Sequence, residues 1–431
     1  MRSLNIFLWQ WILPCLLTVA AAVCWIRLRG EPLRHFGRLL RETYGTVLRR
    51  STSSDQKRIF ASALAATMGT GNLVGTALAL ITGGAGAVFW MWISALLGMV
   101  LVFAENKLAG YYQRGKIRGT IAYLRYGLRS KPLALLFAGL CTVSALGMGT
   151  AVQSSTIAEA CSTYGIPRVF TGALTAALFA VILSGGKKRI GQTAVCIMPL
   201  ICGGYLLGCF WLIGKHASNL PNVFSAIFRE AFGFRAVGGG FSAAVLMHSL
   251  SVGLRRGIFS NEAGLGSSPM LHADGGSAQE QWAAAEVFAD TAICCTATAL
   301  AILTVPALDR TQFTNGTALL TAAFSAGLGQ CAGLFVSGAT VLFAFATMIG
   351  WFPCGLASAG YVFGERSKPV FMMCCILAAF SGALGSPEWI WTFCDLCNGC
   401  MALPNLAALL LLHPKQSKHL TDPEECDILY Q

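Results

Sequence analysis

The stretch "ATMGTGNLVGTALAL", Ala66 to Leu80, is apolar enough to sit in a membrane, yet Gly69, Gly71 and Gly75 interrupt it and Asn72 lies in its middle. Glycine and asparagine both weaken a helix. In hydrocarbon, a weakened helix leaves backbone N–H and C=O groups with no water to satisfy them. A dinucleotide-binding loop is excluded, because no strand pattern precedes the glycines and Gly75 falls one residue late for G-x-G-x-x-G. The rest of the chain has to explain the interruption.

The 431 residues are 55% hydrophobic and 12% charged, against about 25% charge in a soluble domain. Apolar runs of about 20 residues, enough to cross a roughly 30 Å hydrocarbon layer, recur along the whole length. The short alternating strands of a β-barrel do not give such runs. The sequence therefore predicts an all-α polytopic membrane protein of about eleven spans, near 4–26, 59–82, 85–112, 132–162, 166–184, 190–214, 238–268, 281–307, 332–363, 370–386 and 389–413. Leu4–Ile26 is too long and too weakly preceded by positive charge for a cleaved signal peptide, and reads as a retained helix.

Alternate loops between these spans hold 25 of the 31 Lys and Arg residues, and the opposite set holds six. That imbalance puts the N-terminus outside and the C-terminus in the cytoplasm of a multi-pass cell-membrane protein. The basic segment Arg27–Arg58 then runs along the inner leaflet of the lipid bilayer. The net charge of +12 thus reflects topology and implies no nucleic-acid partner. Most of the 17 cysteines lie in apolar segments as small soft hydrophobes, so no disulfides are expected. The run Cys394, Cys397, Cys400 reads as packing rather than a metal site. Glu105 and Asp290 are expected to fix helix packing.

With the first span set aside, ten remain, and five plus five gives two halves of opposite orientation. The expected organisation is residues 1–58 as an extra helix and basic loop, 59–214 and 235–413 as inverted five-helix repeats, and 414–431 as a flexible cytoplasmic tail. The first span of each half carries the unusual sequence: "MGTGNLVG" in one and "RRGIFSNEAGLGSSP", Arg255–Pro269, in the other. Matched glycine-rich interruptions in inverted halves point to a transporter's central site. There, the N–H groups of one half-helix favour a carboxylate and the freed carbonyls of another favour a cation. Thr70 and Asn72 add side-chain oxygens beside the opening. Glu262, in the second interruption, is placed to pair with Arg255 or Arg256 as a gate.

Six blocks, "ALAATMGTGNLVG" (Ala63–Gly75), "GGAGAVFWMWISALLGM" (Gly83–Met99), "VQSSTIAEA" (Val152–Ala160), "VGLRRGIFSNEAGLGSSP" (Val252–Pro269), "FADTAICCTATAL" (Phe288–Leu300) and "FAFATMIGW" (Phe343–Trp351), resemble the alanine or glycine:cation symporter family, the sodium:alanine symporters. The resemblance runs from about Ile59 to His413 and implies a leucine-transporter-like fold. It further implies a small neutral amino acid moved with sodium as the co-transported ion, no other cofactor and no enzymatic activity. Carried over by position, the substrate carboxylate meets the backbone of Gly69, Thr70, Gly71 and Asn72. Gln153 and Asn261 bond its polar groups, and Phe259 and Trp351 cap its side chain. Sodium lies between carbonyls from Ala65 to Met68 and the Thr347 hydroxyl. The chain departs from the family where Ala346 replaces a serine, which brings proton coupling in as the alternative, and at Leu356, where a Gly-Glu pair is lost. No Ser–His–Asp or H-E-x-x-H arrangement supports a membrane-embedded enzyme.

Overall fold

The computed structural model describes residues 2–34, 36–37, 39–41, 43, 54–233, 243–275, 278–306, 308–385 and 388–413. The expected tail 414–431, residues 44–53 of the basic segment and the start of the seventh expected span at 238–242 lie outside the described residues. Among the described residues the chain is helical, with one isolated bridge between Arg114 and Ile117 and no strand.

The helices are α1 (Arg2–Arg27), α2 (Ser54–Thr67), α3 (Gly71–Gly83), α4 (Gly86–Tyr112), α5 (Lys131–Ser162), α6 (Arg168–Ser184) and α7 (Gly186–Lys215). After α8 (Leu220–Ala231) come α9 (Ala243–Asn261), α10 (Ser267–Leu271), α11 (Gln279–Thr304), α12 (Gly316–Leu328), α13 (Ala332–Phe363), α14 (Lys368–Ala383) and α15 (Glu388–Leu411). Seven stretches are long and apolar enough to cross a membrane outright, and the bent pair α2–α3 makes an eighth. Among the described residues that makes seven or eight against the eleven expected; α6 is apolar but shorter, and the expected spans at α9 with α10 and at α14 are not apolar and long enough.

The packing has an internal order. Helix α4 lies against α11, α5 against α13, α6 against α14, and α3 against α9. Each pair joins elements five expected spans apart, and α9 also lies against α4. The extra helix α1 packs on α4 and α15. Arg27 donates to the carbonyls of Leu409 (2.9 Å), Leu410 (2.7 Å) and Leu412 (2.7 Å), which the end of α15 leaves without intrahelical donors.

Short helices at Glu31–Arg34 and Gly119–Ala122 and two longer ones, α8 and α12, had no counterpart in the sequence reading, because all are too short to span. Helix α8 is amphipathic, burying Val223, Ile227 and Ala231 at four-residue intervals. Its Glu230 Oε2 accepts from the N–H groups of Ala85 (2.5 Å) and Gly86 (3.4 Å), capping α4. Helix α12 precedes α13 across a turn with Gly329 at φ +56°.

Candidate functional site

Helix α2 stops at Thr67, and α3 resumes at Gly71 with its axis bent by 45°. The Gly69 N–H, which in an unbroken helix would run back to the Ala65 carbonyl, donates instead to Asn72 Oδ1 at 3.0 Å. Asn72 is completely buried, and its Nδ2 donates to Asp290 Oδ1 (2.7 Å) and the Asp290 carbonyl (3.0 Å). The other Asp290 oxygen accepts from Ser260 Oγ and Thr291 Oγ1, both at 2.8 Å. Asp290 thereby ties the first break to the end of α9. One turn away on α11, Glu286 accepts from Thr67 Oγ1 (2.8 Å) and meets His272 Nε2 (2.8 Å), so the two carboxylates share a helix face.

The second break runs from Asn261 to Ser267. Glu262 (φ +53°), Gly264 (+81°) and Gly266 (+82°) all take left-handed conformations. Glycine enters that region without penalty, whereas glutamate is strained there. The carbonyl of Gly264 accepts from Asn405 Nδ2 (2.9 Å), and that of Gly266 from Thr120 Oγ1 (2.6 Å). Asn405 also donates to Glu105 Oε1 (2.5 Å) and accepts from the Tyr123 hydroxyl. Glu105 is thus the buried anchor of a network that satisfies the unwound segment.

Between the breaks lies a cavity of about 50 Å³ lined by Gly69, Thr70, Gly71, Gln153, Phe259, Glu262, Thr347 and Trp351 among the expected residues. Thr70 Oγ1 lies 3.4 Å from Gln153 Oε1, and Gln153 Nε2 donates to the Met148 carbonyl at 3.2 Å. Phe259 is backed edge-on by Trp9 of α1 at 5.7 Å. Ser260, Met148 and Asn398 also line the cavity and were not singled out from sequence. Asn398 was hidden because it sits in the cysteine-rich run of α15, where nothing interrupts the helix.

Several expected residues are placed differently. Asn72 turns its amide to Asp290 and locks the break rather than facing the cavity. Asn261 Oδ1 accepts from the Ala263 N–H (3.1 Å), and its amide lies against Gly98 of α4 beside a separate crevice. Asn261 therefore caps its own helix end, the nearest donors being its own backbone. Glu262 is bonded by Trp351 Nε1 (2.9 Å) and not by Arg255 or Arg256. Thr347 Oγ1 donates to its own helix at Phe343 (3.0 Å) while standing over Gly69, where an added Cβ would meet it at 2.6 Å. Gly350 presses the same helix onto Ala65 and Ala66, and Met68 accepts from the Cys202 thiol at 3.7 Å. Near Leu356, acid–base pairing is supplied by Glu365 and Lys368 (2.6 Å), whose bond holds the Glu365 carboxyl below its ordinary range.

Residues 1–427 match the family described as the sodium:alanine symporter family. The chain belongs to that family. It is 36% identical to the sodium/alanine symporter AgcS of Methanococcus maripaludis, covering 81% of this chain and 80% of that protein. It is 34% identical to the probable sodium/glutamine symporter GlnT of Bacillus subtilis, covering 95% and 87%. Among solved structures, a Na+-coupled sialic acid symporter aligns with TM-score 0.57 and 15% identity over 90% of this chain and 87% of that one. A manganese transporter from Eremococcus coleocola aligns with TM-score 0.54 and 13% identity over 85% and 82%. These neighbours share the leucine-transporter-like fold. As a family member the protein is a multi-pass membrane transporter, a cation-coupled amino-acid symporter rather than an enzyme.

Proposed function

We propose that this symporter imports a small neutral amino acid, alanine or glycine, coupled to sodium, by alternating access around the cavity between the two helix breaks. The observation that carries the reading is that residues of both breaks meet at one small cavity walled by Phe259 and Trp351. About 50 Å³ is a few water volumes, room for a compact zwitterion and little side chain. Gly69 and Gly71 bring backbone to the cavity wall, where the first turn of α3 faces a carboxylate. Thr347 and the Ala65 carbonyl, which has lost the Gly69 donor, supply oxygen to a hard cation. Repeats at 59–214 and 235–413 and a cytoplasmic C-terminus follow from the same reading.

Proton coupling is the second reading. Ala346 brings no hydroxyl to the sodium side, and the buried Glu286–His272 pair reaches Thr67 at the first break. Radiolabelled alanine uptake into proteoliposomes separates the two. An inward sodium gradient at fixed pH is expected to drive concentrative uptake that choline abolishes. Undiminished uptake in choline removes sodium from the mechanism, and mere equilibration removes symport.

A further inference from the structure

Two connections meet at one corner of the bundle, the turn from α6 into α7 and the turn from α13 into α14. Two cavities outside the central site adjoin there. The larger, about 400 Å³, is lined by five basic side chains, Arg58, Lys116, Arg118, Lys187 and Lys368, against the carboxylates Asp274 and Glu365. Those carboxylates are already committed. Asp274 is shared by Arg118 (3.1 Å) and Lys187 (2.5 Å), and Glu365 takes Lys368 (2.6 Å). Arg58 has Asp55 (2.8 Å) from outside the lining, so five cations still meet only three acids. The smaller cavity, about 220 Å³, is walled by Leu183 of α6, Ile190 of α7, Phe352 and Leu356 of α13 and Met372 of α14. Lys187 and Lys368 are the only polar side chains in its lining, and both line the larger cavity as well.

We propose that this corner binds one anionic phospholipid, its phosphate between Lys187 and Lys368 and an acyl chain in the apolar slot that both lysines border. A basic rim alone would attract any anion, and an apolar slot alone would be a packing gap. A negative head joined to hydrocarbon answers both at once. An ammonium has three donors, so each lysine keeps N–H groups for phosphate oxygens after pairing with its carboxylate. The two lysines also stand in the first turns of α7 and α14, where the positive end of each helix adds to their charge. In the topology read from the loop charges, this corner lies at the cytoplasmic leaflet, where anionic lipid and basic pockets between spans meet. Exposed Val181 on α6 and exposed Val370 and Met373 on α14 give the same corner an apolar outer surface.

The site has a route to transport. Pro353 borders both cavities and lies inside α13, where proline removes a helical hydrogen bond and lets the helix bend. Thr347 and Trp351, which line the central cavity, precede it on the same helix by less than about two turns. A lipid seated at Pro353 therefore biases the bend of α13 and the approach of that helix to the first break.

The test titrates purified, delipidated full-length protein with phosphatidylglycerol or phosphatidylcholine of equal chain length, bound lipid being counted by native mass spectrometry. Phosphatidylglycerol is expected to bind about ten- to thirtyfold more tightly, the worth of two lysine contacts near a membrane surface. Lys187→Gln with Lys368→Gln should abolish that preference. Both side chains are partly exposed, so the double variant should keep the wild-type Tm. Lys188→Gln removes the same charge from outside both linings and should keep the preference. Leu356→Trp, once its Tm matches the wild type, fills the slot and should weaken both lipids. An unchanged preference in the double variant overturns the proposal, and so does an equal loss in Lys188→Gln, which would mean general surface charge. Wild-type lipid binding in folded Leu356→Trp removes the slot. Displacement of phosphatidylglycerol by glycerol 3-phosphate at equal concentration gives the seat to a soluble anion and overturns the lipid. In proteoliposomes, alanine uptake should rise with phosphatidylglycerol content in the wild type and not in the double variant; wild-type uptake indifferent to it overturns the link to α13. Lipid binding is read without substrate, so its result is independent of which amino acid is carried.

Discussion

The two helix breaks occupy equivalent places in the two repeats and are held open by different means. The first spans only Met68 to Thr70, and no residue there needs a left-handed backbone. It is closed from within by Asn72, which takes the Gly69 N–H, and from one neighbouring helix by Asp290 and Glu286. The second is longer, passes through three left-handed residues and is satisfied by side chains from three separate places, Asn405, Thr120 and Glu105. The first is a short hinge whose carboxylate anchors both come from α11, with α5 and α13 against it; the second is a loop pinned to α15, α4 and the short helix before α5. Alternating access needs some parts to move and others to stay. The shorter break, with no left-handed residue and with its carboxylate anchors on one helix, has less backbone to rearrange, so motion is expected to concentrate at the first.

The sharpest way to break this comparison is Asp290→Ala. It removes the carboxylate that Asn72 Nδ2, Ser260 Oγ and Thr291 Oγ1 all bond in a buried site, leaving Asn72 Nδ2 the main-chain carbonyl of residue 290. Hydrogen bonds to an ionised group are worth about 1.5–3 kcal/mol each, so a loss of more than 3 kcal/mol in stability is expected, together with loss of alanine uptake. Thermal unfolding in detergent checks the first and proteoliposome uptake the second. A variant with wild-type Tm and uptake would mean that α11 does not hold the first break. Asn405→Ala tests the other side. It frees the Gly264 carbonyl, Glu105 Oε1 and the Tyr123 hydroxyl, with about 2–3 kcal/mol expected. Because the second break has other anchors, uptake should fall less than in Asp290→Ala. A larger loss of uptake in Asn405→Ala would reverse the assignment of hinge and pin.

The sequence made the breaks legible because glycine and asparagine in an apolar run are local signals. What it could not show was which way each polar side chain turns. Asn72 and Asn261 have the same residue type and the same place beside a break, yet one locks onto Asp290 and the other caps its own helix. Glu262 looked like an arginine partner from its distance in sequence, but the reversal of backbone at φ +53° points it at Trp351. Asn398 and Asn405 left no local mark at all. Their roles come from α15 packing against segments some 140 residues or more away, and no periodicity in one helix reports that.

The smallest expected effect concerns why the first break needs glycine although its backbone angles do not. An alanine Cβ at Gly69 would stand 2.6 Å from Thr347 Oγ1, closer than any contact allows. Thr347 is β-branched and so restricted about χ1, and its hydroxyl is held on the Phe343 carbonyl. Gly69→Ala is therefore expected to cost about 1–2 kcal/mol by overpacking, and to push α13 away from the break. Serine at position 347 loses the methyl group and can swing its hydroxyl aside, so Gly69→Ala with Thr347→Ser should recover part of that stability. Thermal unfolding of the single and double variants, with Thr347→Ser alone as the reference, measures the coupling. If the two changes simply add, Gly69 is not there to let α13 close on the break, and the first break owes its shape to Asn72 and Asp290 alone.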